Sequence, residues 1–271
     1  MNKVEKIFKK ADENFKDYIG IFDSGVGGLS VVQKIAEVLP NENLLYFGDS
    51  ANAPYGSKTE DEIRGFTFDI ADAMIASGCK ALVIACNTAT SVAAASLRRK
   101  YPDIPILGLE PALKPASEKL GKANVLVMAT PVTLRLKKFN DLISRFMDET
   151  NFITCPCPGL AKRIERGNFE DEDLKELLAG IVGKYRGSID GIVLGCTHYP
   201  FIKAQIREAA GDVPMFDGAC GTAKELRREL LEAGLINESE CKGKIALLSS
   251  CETEEEIRLY EWLLNKKIPE N

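Results

Sequence analysis

Short apolar runs alternate with longer amphipathic stretches along most of the chain. Runs of four or five apolar or β-branched residues are typical of buried strands, and apolar residues at a spacing of three and four are typical of helices. In the first half the predicted strands are Tyr18–Phe22, Leu44–Phe47 and Ala81–Ala85, and the predicted helices are Leu29–Leu39, Thr59–Ser77 and Ala89–Arg99.

The same alternation continues in the second half, with strands at Asn124–Ala129, Phe152–Thr154 and Gly191–Gly195 and helices at Val132–Phe146 and Asp171–Tyr185. ALVIACNTAT (81–90) resembles GIVLGCTHYP (191–200), and their cysteines are 110 residues apart. Asp23 and Thr130, which each follow the first strand of a half, are 107 residues apart. These offsets predict two related α/β halves, and a chance likeness of two buried strands is the alternative.

The alternation predicts an α/β fold, in which two similar domains with mainly parallel sheets enclose a site in the cleft between them. The last segment has two helical stretches (222–233 and 254–266) around a strand (244–249), which is too little for a third domain. We therefore expect it to pack on the first half. The predicted parts are a charged, helical or frayed extension (1–17), a first domain (18–110 plus 221–271) and a second domain (111–220).

Polar residues follow the predicted strands directly. Ligands of parallel α/β sheets bind beyond the carboxyl ends of the strands, so these residues are candidates for the site. In the first half they are Asp23, Ser24, Pro54, Tyr55, Gly56, Cys86, Asn87 and Thr88. For Tyr55 and Gly56 a simple surface turn is the alternative.

Composition excludes several classes of protein. The 271 residues carry a formal net charge of −5 and are 45% hydrophobic, which is typical of a globular protein and argues against a general nucleic-acid surface. The charged start lacks the apolar core of a signal peptide, and no stretch is apolar enough to span a membrane. We therefore expect a cytoplasmic protein with free thiols. A single histidine argues against a zinc site.

Two of the eight cysteines, Cys86 and Cys196, stand where a strand ends and a helix is predicted to begin. A helix N-terminus lowers a thiol pKa from about 8.5. Two thiols that face one ligand can remove a proton from one side of a carbon and deliver a proton to the other. The alternative for each is a small buried hydrophobic residue.

Asp23 directly follows a predicted strand, and His198 lies two residues after Cys196. Asp23 either caps the helix Leu29–Leu39 or exchanges a proton with Cys86. His198 either assists Cys196 or serves as a structural hydrogen-bonding residue. Gly25, Gly27 and Gly28, which follow Asp23, match neither the dinucleotide-binding nor the P-loop pattern, and they predict a tight turn whose N–H groups face a carboxylate.

Four motifs together resemble the glutamate racemase family: IGIFDSGVGGLSV (19–31), YFGDSANAPYG (46–56), ALVIACNTATS (81–91) and GIVLGCTHYP (191–200). They occur in the family's order and cover most of the chain. The resemblance implies two α/β domains around one active site, and interconversion of L- and D-glutamate without pyridoxal phosphate, metal or other cofactor. It also implies supply of D-glutamate for peptidoglycan synthesis and a homodimer.

By this resemblance Cys86 handles the α-proton of D-glutamate with Asp23, and Cys196 handles that of L-glutamate with His198. Glu165 stands where the family has a further acidic residue, although its segment, CPCPGLAKRIERG, is more polar than the family's, and a solvated helix charge is the alternative. The implied substrate-binding residues are Asp23, Ser24, Pro54, Tyr55, Gly56, Asn87, Thr88, Thr130, Thr133 and Thr197.

Asp23 beside Cys86 raises the pKa of that thiol through like-charge repulsion. We therefore expect a neutral Cys86 in the free enzyme that loses its proton only on substrate binding. Other functions remain open: a racemase of aspartate or another small acid, a thiol redox or metal-binding protein, and a silent module that binds an acidic amino acid. The lack of a C-x-x-C pair argues against the redox protein.

Overall fold

The protein is described here by a computed structural model, which covers residues 2–11 and 14–269. The strands are β1 (Ile19–Asp23), β2 (Leu44–Gly48), β3 (Ala81–Ile84), β4 (Ile106–Gly108), β5 (Asn124–Ala129), β6 (Asn151–Pro156), β7 (Gly191–Leu194), β8 (Met215–Asp217) and β9 (Ile245–Ser249). The α-helices are α1 (Lys3–Lys10), α2 (Leu29–Val38), α3 (Glu60–Ala76), α4 (Asn87–Lys100), α5 (Leu113–Leu120), α6 (Pro131–Arg135), α7 (Lys137–Ser144), α8 (Leu160–Ile164), α9 (Glu172–Val182), α10 (Lys203–Ala210), α11 (Ala219–Glu232) and α12 (Glu254–Asn265). Short 3₁₀ helices lie at Ser50–Asn52, Tyr55–Ser57, Gly183–Tyr185 and Tyr199–Ile202.

Two parallel sheets organise these elements. The first has the order β4-β3-β1-β2-β9 and the second the order β6-β5-β7-β8. Every strand pair in both sheets is parallel, which confirms the predicted α/β class. None of the helices in the described part of the chain is long and apolar enough to cross a bilayer.

The four strands β1 to β4 have the same order as β5 to β8. In each half the first strand lies between the second and the third, and the fourth lies beyond the third. Successive connections therefore leave the first strand on opposite sides, and the crevice between first and third strands is where α/β sheets bind ligands. This topology places Asp23 and Cys86 at one such crevice and Thr130 and Cys196 at the other.

The chain returns to the first sheet after it has completed the second. β9 pairs with β2, from Leu44 opposite Ile245 to Gly48 opposite Ser249. α11 and α12 pack on α2 of the first half. This agrees with the expectation that the last segment joins the first half, and the domain bounds themselves stay a proposal.

Alternation along the strands fills a separate core on each side of each sheet. In β2, Leu44 and Tyr46 face one core, whereas Leu45 and Phe47 face another. The first of these cores continues into the second sheet through Leu126 of β5. One apolar core therefore runs from one half to the other and holds the strand ends of both halves near each other.

The structure confirms the helical alternative for the N-terminal segment and contradicts one predicted helix. Lys3–Lys10 is α-helical, and Phe8 is buried with ring centroids 5.6 Å from Phe47 and 6.1 Å from Phe15. The predicted extension also includes residues 1, 12 and 13, which lie outside the described residues. The predicted helix Val132–Phe146 is broken at Leu136, whose backbone is extended and whose side chain enters the core of the first half.

Candidate active site

Cys86 follows β3 and forms the N-cap of α4, where its Sγ atom accepts a hydrogen bond from the Ala89 N–H at 3.5 Å. The thiol is buried. Burial raises the pKa of Cys86 well above its ordinary value, and the charges of Asp23 and Cys196 raise it further, against the hydrogen bond from Ala89. The expected lowering by the helix end was wrong for Cys86, because desolvation of a thiolate outweighs one hydrogen bond.

Cys196 follows β7, and its Sγ atom lies 3.5 Å from Nδ1 of His198. Contrary to prediction, no α-helix begins at this cysteine. A turn leads from it to the 3₁₀ helix Tyr199–Ile202, and α10 begins only at Lys203. The neighbouring polar group of the Cys196 thiol is therefore the His198 imidazole, whereas that of Cys86 is the N-terminus of a helix.

His198 connects Cys196 with Glu165. Its Nε2 atom lies 2.5 Å from Oε1 of Glu165, which follows α8. Burial by itself lowers the pKa of His198, but the negative charges of Cys196 and Glu165 raise it well above its ordinary value. The structure thus brings Glu165 into the site, and its side chain is only 16% exposed, unlike a solvated helix charge.

Asp23, the last residue of β1, is fully buried. Its Oδ2 atom accepts the Gly28 N–H at 2.8 Å, and the Thr197 hydroxyl donates to the same oxygen at 3.3 Å. Burial raises the pKa of Asp23, and the cation of His198 opposes that effect. Asp23 therefore does hold the start of α2, and it also makes a contact from the first half to the loop of the second thiol.

The glycines between β1 and α2 make room for the catalytic candidates. A Cβ atom at Gly25 would lie 2.0 Å from Oε1 of Glu165, and one at Gly27 would lie 2.3 Å from Nδ1 of His198. The N–H groups of this turn face carboxylates as predicted, but these are the protein's own: Val26 donates to Glu165 at 3.1 Å and Gly28 to Asp23.

Three threonine hydroxyls from the two halves meet in one cluster. The Oγ1 atom of Thr133 lies 3.0 Å from that of Thr88 and 2.9 Å from that of Thr130. A Cβ atom at Gly56 would be 3.0 Å from Thr130, so the loop after β2 approaches the same place. All three threonines are buried, and the cluster offers neutral donors across the cleft.

The turn at Pro54, Tyr55 and Gly56 is not a surface turn. Tyr55 is 1% exposed, and its hydroxyl donates to Oδ2 of Asp49 at 2.6 Å. Asn52 donates to both oxygens of Asp49 at 3.0 Å. Asp49, which directly follows β2, thus fixes the turn. The expectation that polar residues directly after strands belong to the site would have identified Asp49 as well.

Ser24 and Asn87 are buried beside Asp23 and Cys86, the residues they follow in sequence. Ser24 donates a hydrogen bond that lowers the pKa of Cys86, against the larger effect of burial. In the described part of the chain, Oδ1 of Asn87 finds no hydrogen-bond partner. A buried acceptor without a partner is costly, so this amide is suited to a ligand N–H.

Tyr46 and Ser30, which the sequence patterns did not indicate as candidates, fix the loops that carry the candidates. Tyr46 donates a hydrogen bond to the Gly25 carbonyl. The Ser30 hydroxyl lies 2.9 Å from the carbonyl oxygens of both Gly27 and Thr197. Neither residue ends a strand, and only their places in two of the quoted motifs could have drawn attention to them.

All eight cysteines are free. Cys155 and Cys157, on and beside the end of β6, are buried, and Cys157 donates to the Cys155 carbonyl at 3.3 Å. The hydrogen bond between their thiols raises the pKa of Cys157 and lowers that of Cys155. The remaining four, Cys79, Cys220, Cys241 and Cys251, take part in none of the contacts between the candidate residues described above.

Two α/β halves with parallel sheets, each of which brings a buried thiol to the place where they meet, define the class of the α/β racemases. The family described as Asp/Glu/hydantoin racemase matches residues 19–226. The chain belongs to this family, and within it to the glutamate racemases.

Relatives and solved structures support this assignment. A glutamate racemase of Clostridium novyi is 47% identical over 243 residues, which are 88% of this chain and 93% of that protein. The crystal structure of the Francisella tularensis glutamate racemase with D-glutamate superposes with a TM-score of 0.80 at 27% identity, over 95% of this chain and 97% of that one. The Thermus thermophilus glutamate racemase with β-chloro-D-alanine gives 0.77 at 32% identity, over 95% and 96%.

Proposed function

We propose that this enzyme interconverts L- and D-glutamate without pyridoxal phosphate or metal, through proton transfer by Cys86 and Cys196. The observation that carries the proposal is the arrangement of the two thiols. They follow equivalent strands of two sheets with the same order, and each lies near its own proton-exchanging group. Similarity to glutamate racemases, one of them solved with D-glutamate, supports glutamate as the substrate.

In the proposed reaction one thiolate takes the α-proton, so that a C–H bond breaks and an S–H bond forms. The opposite thiol then gives its proton to the other face of the planar carbanion, and a C–H bond of inverted configuration forms. Cys86 acts on D-glutamate and Cys196 on L-glutamate. After each turnover one thiol has gained a proton and the other has lost one, so the reverse passage restores the starting state.

The neighbours of the thiols tune this exchange. Burial raises the pKa of Asp23, which brings this carboxyl closer to a thiol in basicity and makes it a better proton acceptor for Cys86. His198, with Glu165 behind it, exchanges a proton with Cys196 across 3.5 Å. Asp23 and Glu165 differ in position relative to their thiols, so the two half-reactions are not chemically identical.

Substrate carboxylates are held by neutral donors in this proposal, because the binding candidates include no Lys or Arg. Asn87, whose Oδ1 atom has no partner among the described residues, accepts a hydrogen bond from the substrate ammonium. The Thr88–Thr130–Thr133 cluster donates to a carboxylate. The other proposed binding residues are Asp23, Ser24, Pro54, Tyr55, Gly56 and Thr197.

The test is incubation of the purified protein with each glutamate enantiomer in D₂O, without added cofactor. Circular dichroism follows the loss of optical activity, and proton NMR follows the α-proton. We expect racemisation with α-deuterium incorporation, and a loss of at least about 100-fold in Cys86→Ser and in Cys196→Ser. Cys79→Ala, which alters a buried thiol of the first half, serves as the matched control and retains activity.

The enantiomers have equal free energy, so kcat/KM must be equal in both directions for every variant, and each serine variant loses both directions together. Racemisation at the wild-type rate in either variant contradicts the two-thiol mechanism. Exchange with aspartate but not glutamate would assign the substrate to the smaller acid, and no exchange with either would favour a binding module.

The cellular context is also a proposal. The resemblance implies a cytoplasmic homodimer that supplies D-glutamate for peptidoglycan. Light scattering on the purified protein tests the dimer. Depletion of the protein in a cell-wall-forming host, with and without added D-glutamate, tests the supply role, because external D-glutamate restores growth only if this enzyme is its source.

A further inference from the structure

Tyr46 is a fully buried tyrosine at the centre of β2, outside the set of residues that contact the two thiols. Its ring packs edge-to-face on Tyr260 of α12, with centroids 5.4 Å apart. Its hydroxyl donates to the carbonyl oxygen of Gly25 in the glycine turn after β1. The side chain therefore connects the core of the first half with the turn that borders the site.

The Gly25 carbonyl and the Val26 N–H belong to one peptide group. The N–H side donates to Oε1 of Glu165 at 3.1 Å, and the carbonyl side accepts from Tyr46. Hydrogen bonds at both ends of a peptide group polarise and orient it. One peptide plane is thus held between a tyrosine of the first half and a carboxylate of the second.

The same Glu165 oxygen lies 2.5 Å from Nε2 of His198, whose Nδ1 atom is 3.5 Å from Sγ of Cys196. A continuous series of contacts therefore runs from Tyr46 through the 25–26 peptide to Glu165, His198 and Cys196. The contact between Glu165 and the Val26 N–H depends on the glycine at position 25. A Cβ atom there would lie 2.0 Å from Glu165 and would leave this carboxylate no room at the N–H.

We propose that Tyr46 is a positioning residue for the second proton-transfer group: it orients the 25–26 peptide so that Val26 holds Glu165 against His198. Its part in racemisation rests on the proposed function. Its part in holding Glu165 and His198 together does not, so the two are tested separately.

The consequence of losing the Tyr46 hydroxyl follows from burial. The Gly25 carbonyl would be left without this partner, and the peptide would be free to rotate its N–H away from Glu165. Loss of a hydrogen bond to a charged group changes the equilibrium between the held and the released position of that group by roughly 10- to 100-fold. The charged or titratable groups that act on His198 are Glu165, Cys196 and Asp23.

The sequence contains one histidine, so histidine-labelled protein gives the NMR signals of His198 alone. We expect wild-type His198 to titrate above its ordinary range. In Tyr46→Phe we expect this titration to move down by on the order of one pH unit, because Glu165 is no longer held at Nε2. We also expect kcat/KM to fall at least about tenfold and equally for both enantiomers.

Tyr260→Phe is the matched control. It removes the hydroxyl of the neighbouring buried ring, which lies 2.7 Å from Ser50 Oγ and donates to Ser249, and it leaves the Gly25 carbonyl untouched. We expect wild-type His198 titration in this variant. A wild-type titration in Tyr46→Phe, or an equal shift in both variants, would overturn the proposal.

Gly25→Ala tests the same link from the other side, and keeps the proposal falsifiable if Tyr46→Phe does not fold. The added methyl group displaces Glu165 from the Val26 N–H while Tyr46 stays intact. The His198 titration should again move down, and an unchanged titration in the folded variant contradicts the proposal. Wild-type protein that shows the expected His198 titration but does not racemise glutamate would refute the proposed function alone.

Discussion

At the scale of the residue, burial decides the chemistry of Cys86 more than its neighbours in sequence do. The N-cap position and the Ala89 N–H favour a thiolate, yet desolvation and Asp23 together leave the pKa raised. A raised pKa means that the thiol form predominates at neutral pH and that the thiolate grows only as the pH rises beyond the range of a free thiol. This supports a neutral Cys86 before substrate binds.

Asp23→Asn separates this effect from catalysis. The substitution removes the second-largest cause of the raised pKa, so at pH 8 we expect faster alkylation of Cys86 by iodoacetamide, measured by mass spectrometry of its peptide. Racemisation should nevertheless fall by about 100-fold, because the proton acceptor is lost. The buried Cys79 reports on general loosening and should react at an unchanged rate. Slower or equal alkylation of Cys86 would show that Asp23 does not act on this thiol.

At the scale of the element, α1 shows how a charged segment becomes part of a core. Five of its eight residues are charged, but Ile7 and Phe8 are buried. The Asn2 cap and Glu5 close the N-terminus with reciprocal hydrogen bonds of 2.8 and 3.0 Å. The helix packs on α3, far in sequence from it, so we assign it a role in stability.

Phe8→Ala should lower the free energy of unfolding by about 3–5 kcal/mol, because it empties the space between Phe15 and Phe47. Urea unfolding measures this loss. The folded variant should keep its kcat, since α1 contributes no residue to the site. Lys9→Ala, one position along on the exposed side, should stay within about 0.5 kcal/mol of wild type. A loss of kcat without a loss of stability would place α1 in catalysis.

At the scale of the whole molecule, the site exists only where the two halves meet. Val26 to Glu165, Ser30 to Thr197 and Thr88 to Thr133 are contacts between residues 139, 167 and 45 positions apart. Together with the shared apolar core they close the cleft over the thiols. A ligand bound at the proposed site would touch both halves, so its binding energy would add to the stability of their arrangement.

Glutamate should therefore stabilise the protein against heat. We choose the Cys86→Ser/Cys196→Ser double variant, in which neither enantiomer is converted during the scan. At a concentration 100 times the Kd, either enantiomer should add about 2.7 kcal/mol to the free energy of unfolding. Glutamine, of the same length but with one carboxylate fewer, is the control and should add less. No change in Tm with either enantiomer would contradict a glutamate site between the halves.

The sequence by itself determined the class of fold and the ends of the strands that bear the chemistry. Apolar runs are local signals, and they located β1, β3, β5 and β7 within a residue or two. Because polar residues after parallel strands meet at one edge of a sheet, Asp23 and Cys86 could be paired before any contact was known. The likeness of 81–90 to 191–200 likewise anticipated the common strand order.

Only the tertiary structure decided what those residues do to one another. The extended backbone at Leu136 and the burial of Phe8 depend on cores built from distant segments. The local spacing of apolar residues carries no information about such segments. The raised pKa of Cys86 comes first from desolvation, a property of the closed cleft. Glu165 has room beside His198 because Gly25 and Gly27 of the first half lie against these two side chains, and a contact between the halves leaves no pattern in either one.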